Sequence, residues 1–428
     1  MTKRLILIGV ALLITTTAWG QPILDYVNRP EPAYAWEKTD EETMGTVSVT
    51  HLKVTSQTWQ DITWTHRVYL MVPDEMTHPE TALLLITGGA PDRDELTMLS
   101  TAATMLSSPV VILGDIPNQP LFDDLTEDAL IAFTFSNYLE THDANWPLLF
   151  PMTKAAVKTM DAVEQYTADE WERPITSFVA TGASKRGWTT WFTGAVVPGR
   201  LKGIAPMVYD NLNLPAQMRQ HLIAWGDYSA QIHDYTERGL PQMLRTAEGM
   251  RLGAIVDPYT LRHRVTIPKL IITGTNDPYW PLDAANLYWD ELPEPKYILY
   301  VPNSGHGLND IMRVINAQVG FFMVCTGRAS LPRPSWQFEV GSYLKLHIQP
   351  GANVKRVTQL TARAPTRDFR EATWEEEPAI ERDDRYLCRL LHPDEGYAAI
   401  FGEVVYDLGG QEFPVSTNVR IIGPEGME

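Results

Sequence analysis

Apolar positions along this chain follow two different rhythms, and the order in which they come is the first clue to its architecture. Residues 46–56 alternate polar and apolar, and residues 62–72 do so more strongly, which predicts an antiparallel hairpin closed by Pro73. His66 falls inside that hairpin and reads as a sheet residue rather than a catalytic one. At Ala82 the rhythm changes to a continuous apolar run over 82–86, the pattern of a strand buried on both faces. Similar runs recur at 109–113, 175–181, 201–208, 269–273 and 296–301. Between them, 95–105, 125–140, 152–166, 186–193, 282–292 and 311–325 carry helical patterns. Strands alternating with helices predict a mostly parallel sheet covered by helices on both faces.

Residues 209–264 interrupt that alternation with a long, helical, polar-aromatic stretch. It reads as an inserted cap able to wall a substrate site, or more plainly as a larger crossover. Its Trp225, Tyr228 and Tyr235 suit a sugar or a peptide end, or simply pack the cap onto the sheet. His221 and His233 read as surface residues. Past Leu331-Pro332-Arg333-Pro334, the stretches 336–348, 354–362, 385–391, 396–406 and 412–422 alternate without helical period and predict a small β-sandwich. The expected organisation is a main domain over 21–330, with its cap at about 209–264, and a second over 331–428.

The first twenty residues stand apart. Lys3 and Arg4 precede a short apolar core, and Ala18-Trp19-Gly20 supplies small residues two apart, the pattern of a secretory signal peptide cut after Gly20. The expected location is secreted or periplasmic. No cysteine follows the cut, which argues against a lipid anchor, and no later stretch approaches membrane-spanning length. The net charge of −18 becomes −20 once the two basic residues of the leader are subtracted (−18 − 2). So acidic a chain repels phosphate backbones and anionic lipid, which sets nucleic acid and membrane surfaces aside as partners. Two cysteines, Cys325 and Cys388, leave two readings open: one bridge in an oxidising compartment, or two buried free thiols. No C-x-x-C or His/Cys cluster suggests a metal site.

The chemistry begins at Gly182-Ala183-Ser184-Lys185-Arg186-Gly187, which joins the apolar run 175–181 to a helical segment. A serine on a tight strand-to-helix turn projects its hydroxyl from the end of a sheet, and small neighbours are needed because strand and helix approach closely there. This is the logic of a nucleophile elbow, with one departure: the second glycine comes a residue late and Arg186 holds its usual place. An acyl-transfer serine needs a base and an acid to orient that base. In the α/β-hydrolase layout these sit past the carboxyl ends of strands in the order serine, acid, histidine. Ser184, Asp277 (in Gly-x-x-Asp-Pro) and His306 (in Asn-x-Gly-His-Gly) each directly follow a predicted buried strand in that order. Asp210 is the alternative acid, and Asp283 ranks beside it. The oxyanion hole is expected from the backbone N–H of Lys185, with Gly88, Gly89 or Ala90 as second donor. Arg186 and Trp188 are candidate substrate contacts; the other reading of Arg186 is a pairing with a neighbouring acid.

The block Thr181-Gly182-Ala183-Ser184-Lys185-Arg186-Gly187-Trp188-Thr189-Thr190-Trp191, followed by the segment 203–213, resembles the PhoPQ-activated pathogenicity-related proteins. The likeness extends over Trp64, the Asp277-Pro278-Tyr279 segment, the His306 loop and the β-rich tail. It implies an α/β-hydrolase fold and export. It also implies distant kinship with prolyl-peptidase-type hydrolases and, through Gly-x-Ser-basic-x-Gly, with glucuronoyl esterases, and the lean toward a peptide-like bond rests on that resemblance alone.

The combined expectation is an exported serine hydrolase acting on an ester or amide of a small-molecule, peptide or saccharide substrate, with no metal or organic cofactor. One alternative is a secreted binding or signalling protein on a hydrolase scaffold; another is a carbohydrate esterase.

Overall fold

The computed structural model of the protein describes residues 21–330, 332–424 and 426–427; the predicted signal peptide at 1–20 lies outside them. From Gln21 the chain forms α1 (Pro22–Asn28) and an antiparallel meander of β1 (Ala35–Met44), β2 (Val47–Trp59) and β3 (Ile62–Pro73). Gln60 and Asp61 join β2 to β3 with φ of 49° and 60°, the two-residue turn whose twist matches that of paired strands. The α/β alternation follows: β4 (Thr81–Ile86), α2 (Arg93–Leu106), β5 (Val110–Leu113), α3 (Glu127–Thr141), α4 (Leu149–Glu170), β6 (Ser177–Ala183), α5 (Lys185–Val196) and β7 (Leu201–Met207). The cap comprises α6 (Leu214–Trp225), α7 (His233–Thr236), α8 (Leu240–Met243) and α9 (Ala247–Val256), then the 3₁₀ segment Pro258–Arg264. The chain returns through β8 (Lys269–Gly274), β9 (Lys296–Val301) and α10 (Ile311–Cys325).

β5, β4, β6, β7, β8 and β9 lie parallel in that order, with β3 antiparallel to β5. The continuous apolar runs are explained by two cores, one on each face. Leu84 and Ile86 of β4 join one core with α4 and α5, while Leu83 joins the other with α2 and α10. Each fully buried Leu or Ile contributes about 1.5–3 kcal/mol, so a polar residue on either face would be selected against. Because β4 connects to β5 on one side and the chain then crosses back to β6 on the other, the carboxyl ends of β4 and β6 flank a topological switch point. Ligands of open α/β sheets bind at such crevices.

The C-terminal strands are β10 (Ser335–Val340), β11 (Tyr343–Gln349), β12 (Val354–Ala364), β13 (Glu375–Pro378), β14 (Ile380–Arg382), β15 (Arg385–Leu391), β16 (Tyr397–Asp407), β17 (Glu412–Ser416) and β18 (Arg420–Gly423). One layer, β10-β11-β15-β14, packs Leu344, Leu346 and Ile348 toward Val404 and Tyr406 of the other. The layers meet closely: a Cβ on Gly402 would lie 2.3 Å from Ile348 Cδ1. The second layer continues the main sheet, because β17 pairs antiparallel with β9 (Ser416 opposite Ile298) and leads on through β16 and β12 to β13. The fold is therefore an α/β-hydrolase sheet with a C-terminal sandwich.

Three local expectations are corrected. Residues 282–292 form 3₁₀ turns, Ala284–Leu287 and Trp289–Glu291, rather than one helix. Tyr288, at φ −144°, leaves helical geometry and sends its hydroxyl inward to Asp210 at 2.6 Å. His221 is fully buried rather than exposed: its Nδ1 accepts from Ser229 N and its ring packs 4.8 Å from Trp225, and burial lowers its pKa to about 4. The alternation over 336–348 is a hairpin that turns at Gly341-Ser342. Cys325 and Cys388 are both free thiols, the former against Gly203 of β7 and the latter in the sandwich core.

Candidate active site

Ser184 is the junction between β6 and α5, at φ 58° and ψ −123°. Such a backbone costs a non-glycine residue roughly 1–3 kcal/mol and persists only where its surroundings enforce it. Here they do. Ser184 N donates to Met207 O at 2.9 Å, and Trp188 N returns to Ser184 O at 3.0 Å. A Cβ on Gly182 would lie 2.8 Å from Arg186 O, and one on Gly187 would lie 2.7 Å from Met207 O. The late second glycine is thus the point where α5 crosses β7, and Arg186 is accommodated where the usual glycine stands because its side chain turns away under the neighbouring loop.

The Asp277 and His306 loops are built from the ends of β8 and β9. A Cβ on Gly274 would lie 2.2 Å from Ser304 O, so a glycine is required for the two loops to touch. Asn276 N donates to Ser304 O at 3.0 Å and Asn303 N to Thr275 Oγ1 at 3.0 Å. The result brings together Ser184, Asp277 and His306: His306 Nε2 is 3.0 Å from Ser184 Oγ, and His306 Nδ1 is 2.9 and 3.1 Å from the Asp277 carboxylate oxygens. With the proton on Nδ1, the ring donates to Asp277 and accepts from the serine hydroxyl. Asp277 is 3% exposed, and its Oδ1 also accepts from Tyr279 N at 2.8 Å. Tyr279 stacks on the His306 ring at 4.1 Å between centroids, which fixes its plane.

Asp210, the alternative acid, faces elsewhere. It accepts from Tyr288 OH, and burial pushes its carboxyl up to about 7 against that hydrogen bond. Asp283 is likewise engaged, by Gln220 and by Arg367 at 2.9 Å.

Lys185 is the first residue of α5, so its N–H belongs to the set a helix leaves without an internal acceptor. Gly88 and Gly89 follow β4, whose Ile86 is in register with Gly182 of β6, and this sets their loop beside the serine turn. Arg186 is buried beneath it. Its Nε donates to Ile116 O at 2.6 Å, and Nη1 and Nη2 donate to Glu127 at 2.7 and 2.6 Å. A Cβ on Gly88 would lie 2.2 Å from Arg186 Nη2, so the guanidinium is the bed on which the glycine loop rests. Of the two readings of Arg186, the geometry shows the paired one. Burial alone would raise the Glu127 carboxyl; the Arg186 contacts outweigh it and bring it down to about 2.

Trp188 stacks on Tyr209 at 4.9 Å and donates to Val256 O at 2.7 Å, tying α5 to the cap. With Ser184 it lines a cavity of about 80 Å³ whose walls are mainly apolar cap residues. Two members of this surround escaped sequence reasoning: Asp128, which accepts from Lys185 Nζ at 2.6 Å and Tyr235 OH at 2.9 Å, and Glu127 beside it. They are acids in the first turn of α3, where they favour a helix start, and nothing local links them to a serine 56 and 57 residues later. Gly89, Ala183 and Gly307, none of which lines that cavity, are exposed to solvent. Among the described residues no group of three or more His, Cys, Asp or Glu side chains is arranged to hold a metal ion, and no helix is long and apolar enough to cross a membrane.

The family model described as PhoPQ-activated pathogenicity-related protein matches residues 23–370. A curated relative, autocrine proliferation repressor protein A of Dictyostelium discoideum, is 32% identical over 451 residues, covering 95% of this chain and 90% of its own. Solved structures with a similar course include an acetyl xylan esterase from Paenibacillus sp. R4, at 13% identity and a TM-score of 0.49 over 69% of this chain and 92% of the other. A glucuronoyl esterase from Solibacter usitatus aligns at 12% identity and 0.41 over 72% and 93%.

Proposed function

The chain belongs to the PhoPQ-activated pathogenicity-related family, and from that premise we propose that it is an exported serine hydrolase that cleaves an ester or amide through an acyl-enzyme. The observation that carries this reading is the unbroken contact from Asp277 through His306 to Ser184 Oγ, on a serine held at positive φ. His306 Nε2 takes the hydroxyl proton as Ser184 Oγ attacks the substrate carbonyl carbon. Asp277 holds the Nδ1 tautomer and stabilises the imidazolium that forms. The oxyanion is met by the N–H of Lys185 and by the Gly88–Gly89 loop, whose donors need no reorganisation during reaction. As the tetrahedral adduct collapses, the bond to the leaving oxygen or nitrogen breaks, and that atom takes the proton from His306. Water, deprotonated by His306, then attacks the acyl-serine and releases the acid.

The test uses a fluorophosphonate probe on the purified protein, with adducts located by mass spectrometry. Labelling is expected on Ser184 and absent in Ser184→Ala, whose turnover on any cleaved ester should fall by roughly 10⁴-fold or more. A well-folded protein that takes up no probe would instead favour the second reading, a binding or signalling protein on a hydrolase scaffold. One observation supports that alternative: the Dictyostelium relative carries the name of a proliferation repressor.

A further inference from the structure

The two sides of Ser184 differ, and the difference bears on what is cleaved. On the α5 side, the cavity is walled by Met218, Ile232, Leu244, Leu252 and Val256 of the cap, with Trp188 and Tyr209 beneath. His306 does not line that cavity; it is 23% exposed, and its neighbour Gly307 is open to solvent. Tyr279 stands between them, lining the cavity with one part and stacking on His306 with the other.

Chemistry assigns the sides. The leaving atom takes its proton from His306 Nε2 and so departs on the histidine side, which is open. The acyl group lies away from the histidine, in the cavity. A cavity of about 150 Å³ binds benzene, which has six heavy atoms, or on the order of 25 Å³ per atom. The space beside Ser184, about 80 Å³, is about half of that cavity, which favours acyl groups of a few heavy atoms beyond the carbonyl. The acyl group is also uncharged: Lys185 and Asp128, the charged residues lining the cavity, are joined at 2.6 Å and leave no ion for a substrate.

We infer that the protein removes short, neutral acyl groups, from acetyl to butyryl, from acceptors whose size the site does not restrict. This rests on the serine hydrolase reading and narrows it, since cleavage inside a peptide would need room for a long chain on the acyl side.

The experiment compares kcat/KM for 4-nitrophenyl acetate, butyrate, hexanoate and octanoate, and for N-blocked tetrapeptide 4-nitroanilides. Acetate and butyrate are expected at least tenfold above octanoate, with the anilides uncleaved. Leu252→Ala and Met218→Ala are expected to move the optimum toward hexanoate, and the wild-type series stands even where a variant folds poorly. An acetylated oligosaccharide should lose its acetyl groups to the same protein. Octanoate or an anilide cleaved as fast as acetate, on a protein whose Ser184 takes the fluorophosphonate, would overturn this inference and leave the hydrolase standing. Failure to label Ser184 in folded protein would remove the hydrolase and this inference together.

Discussion

At Asp210 a carboxyl is held with 1% exposure, one oxygen on Tyr288 OH and the other without a partner among the described residues. Burial raises its pKa to about 7, and burial raises that of Glu403 to about 7 as well. Both groups bind a proton more tightly in the folded chain than in the unfolded one. Their contribution is therefore full below the ordinary carboxylate range and is lost as pH rises through about 7. The buried His66 and His221, each lowered to about 4, act in the opposite sense: their share is intact above 6.5 and is lost as pH falls through 4. Between pH 5 and 6.5 these opposite slopes offset, so urea unfolding should show a net decline only from about pH 6.5 to 7.5. Asp210→Asn, which keeps the Tyr288 contact, removes one of the declining contributions, so its stability relative to wild type should rise by about 1–4 kcal/mol between pH 5 and 7.5. An unchanged slope would show that Asp210 is already charged in the folded protein.

Among the elements, one irregular segment braces both the Asp277 and the His306 loop. The stretch 365–374, between β12 and β13, supplies three carbonyls, of Phe369, Arg370 and Ala372, to Asn276 Nδ2 at 3.2, 3.1 and 2.7 Å. Trp374 exchanges two hydrogen bonds with Asn303 at 2.7 and 3.0 Å. Asn276 precedes Asp277 and Asn303 lies three residues before His306. Asn276→Ala removes this donor from all three carbonyls, of which Phe369 O keeps only Ala372 N, and about 1–3 kcal/mol of stability should be lost. With the acid loop released, kcat should fall about tenfold or more while fluorophosphonate labelling persists; a kcat equal to wild type would show that the brace is dispensable. None of this was legible along the chain. The buried strands were legible, because burial on both faces demands continuous apolar residues, and Ser184, Asp277 and His306 were legible because each follows such a strand. The brace, the Arg186–Glu127 pair and the burial of His221 are not, because each depends on what the fold sets opposite a polar residue. The 3₁₀ turns over 284–291 belong to the same class: the pull of Asp210 on Tyr288 overrides local helical preference.

For the whole molecule, the long sheet has edges at β1 and β13, and both are acidic: Asp40, Glu41 and Glu42 on one, Glu375, Glu376 and Glu377 followed by Pro378 on the other. Charge and proline on edge strands deter pairing with other chains, in keeping with a net charge of −18. The interior of the sheet has no such protection. A chain of residues 21–330 would expose the edge of β9 and the face of α10, where a Cβ on Gly320 would lie 2.6 Å from Phe413 Cβ. Such a chain is expected to be insoluble or unreactive toward fluorophosphonate. A soluble, labelled 21–330 fragment would show that the sandwich is an independent passenger.

The brace at 365–374 also imposes a timetable. Ser184, Asp277 and His306 all emerge from the ribosome before the residues that steady the Asp277 and His306 loops, and β9 waits longer still for β17. A nascent chain thus carries Ser184 for more than a hundred residues of synthesis, on the order of 10 s at about 5–20 residues per second, before those contacts can form. The contacts around Asp277 and His306 are complete only with the last strands, so a chain cut short carries Ser184 without them.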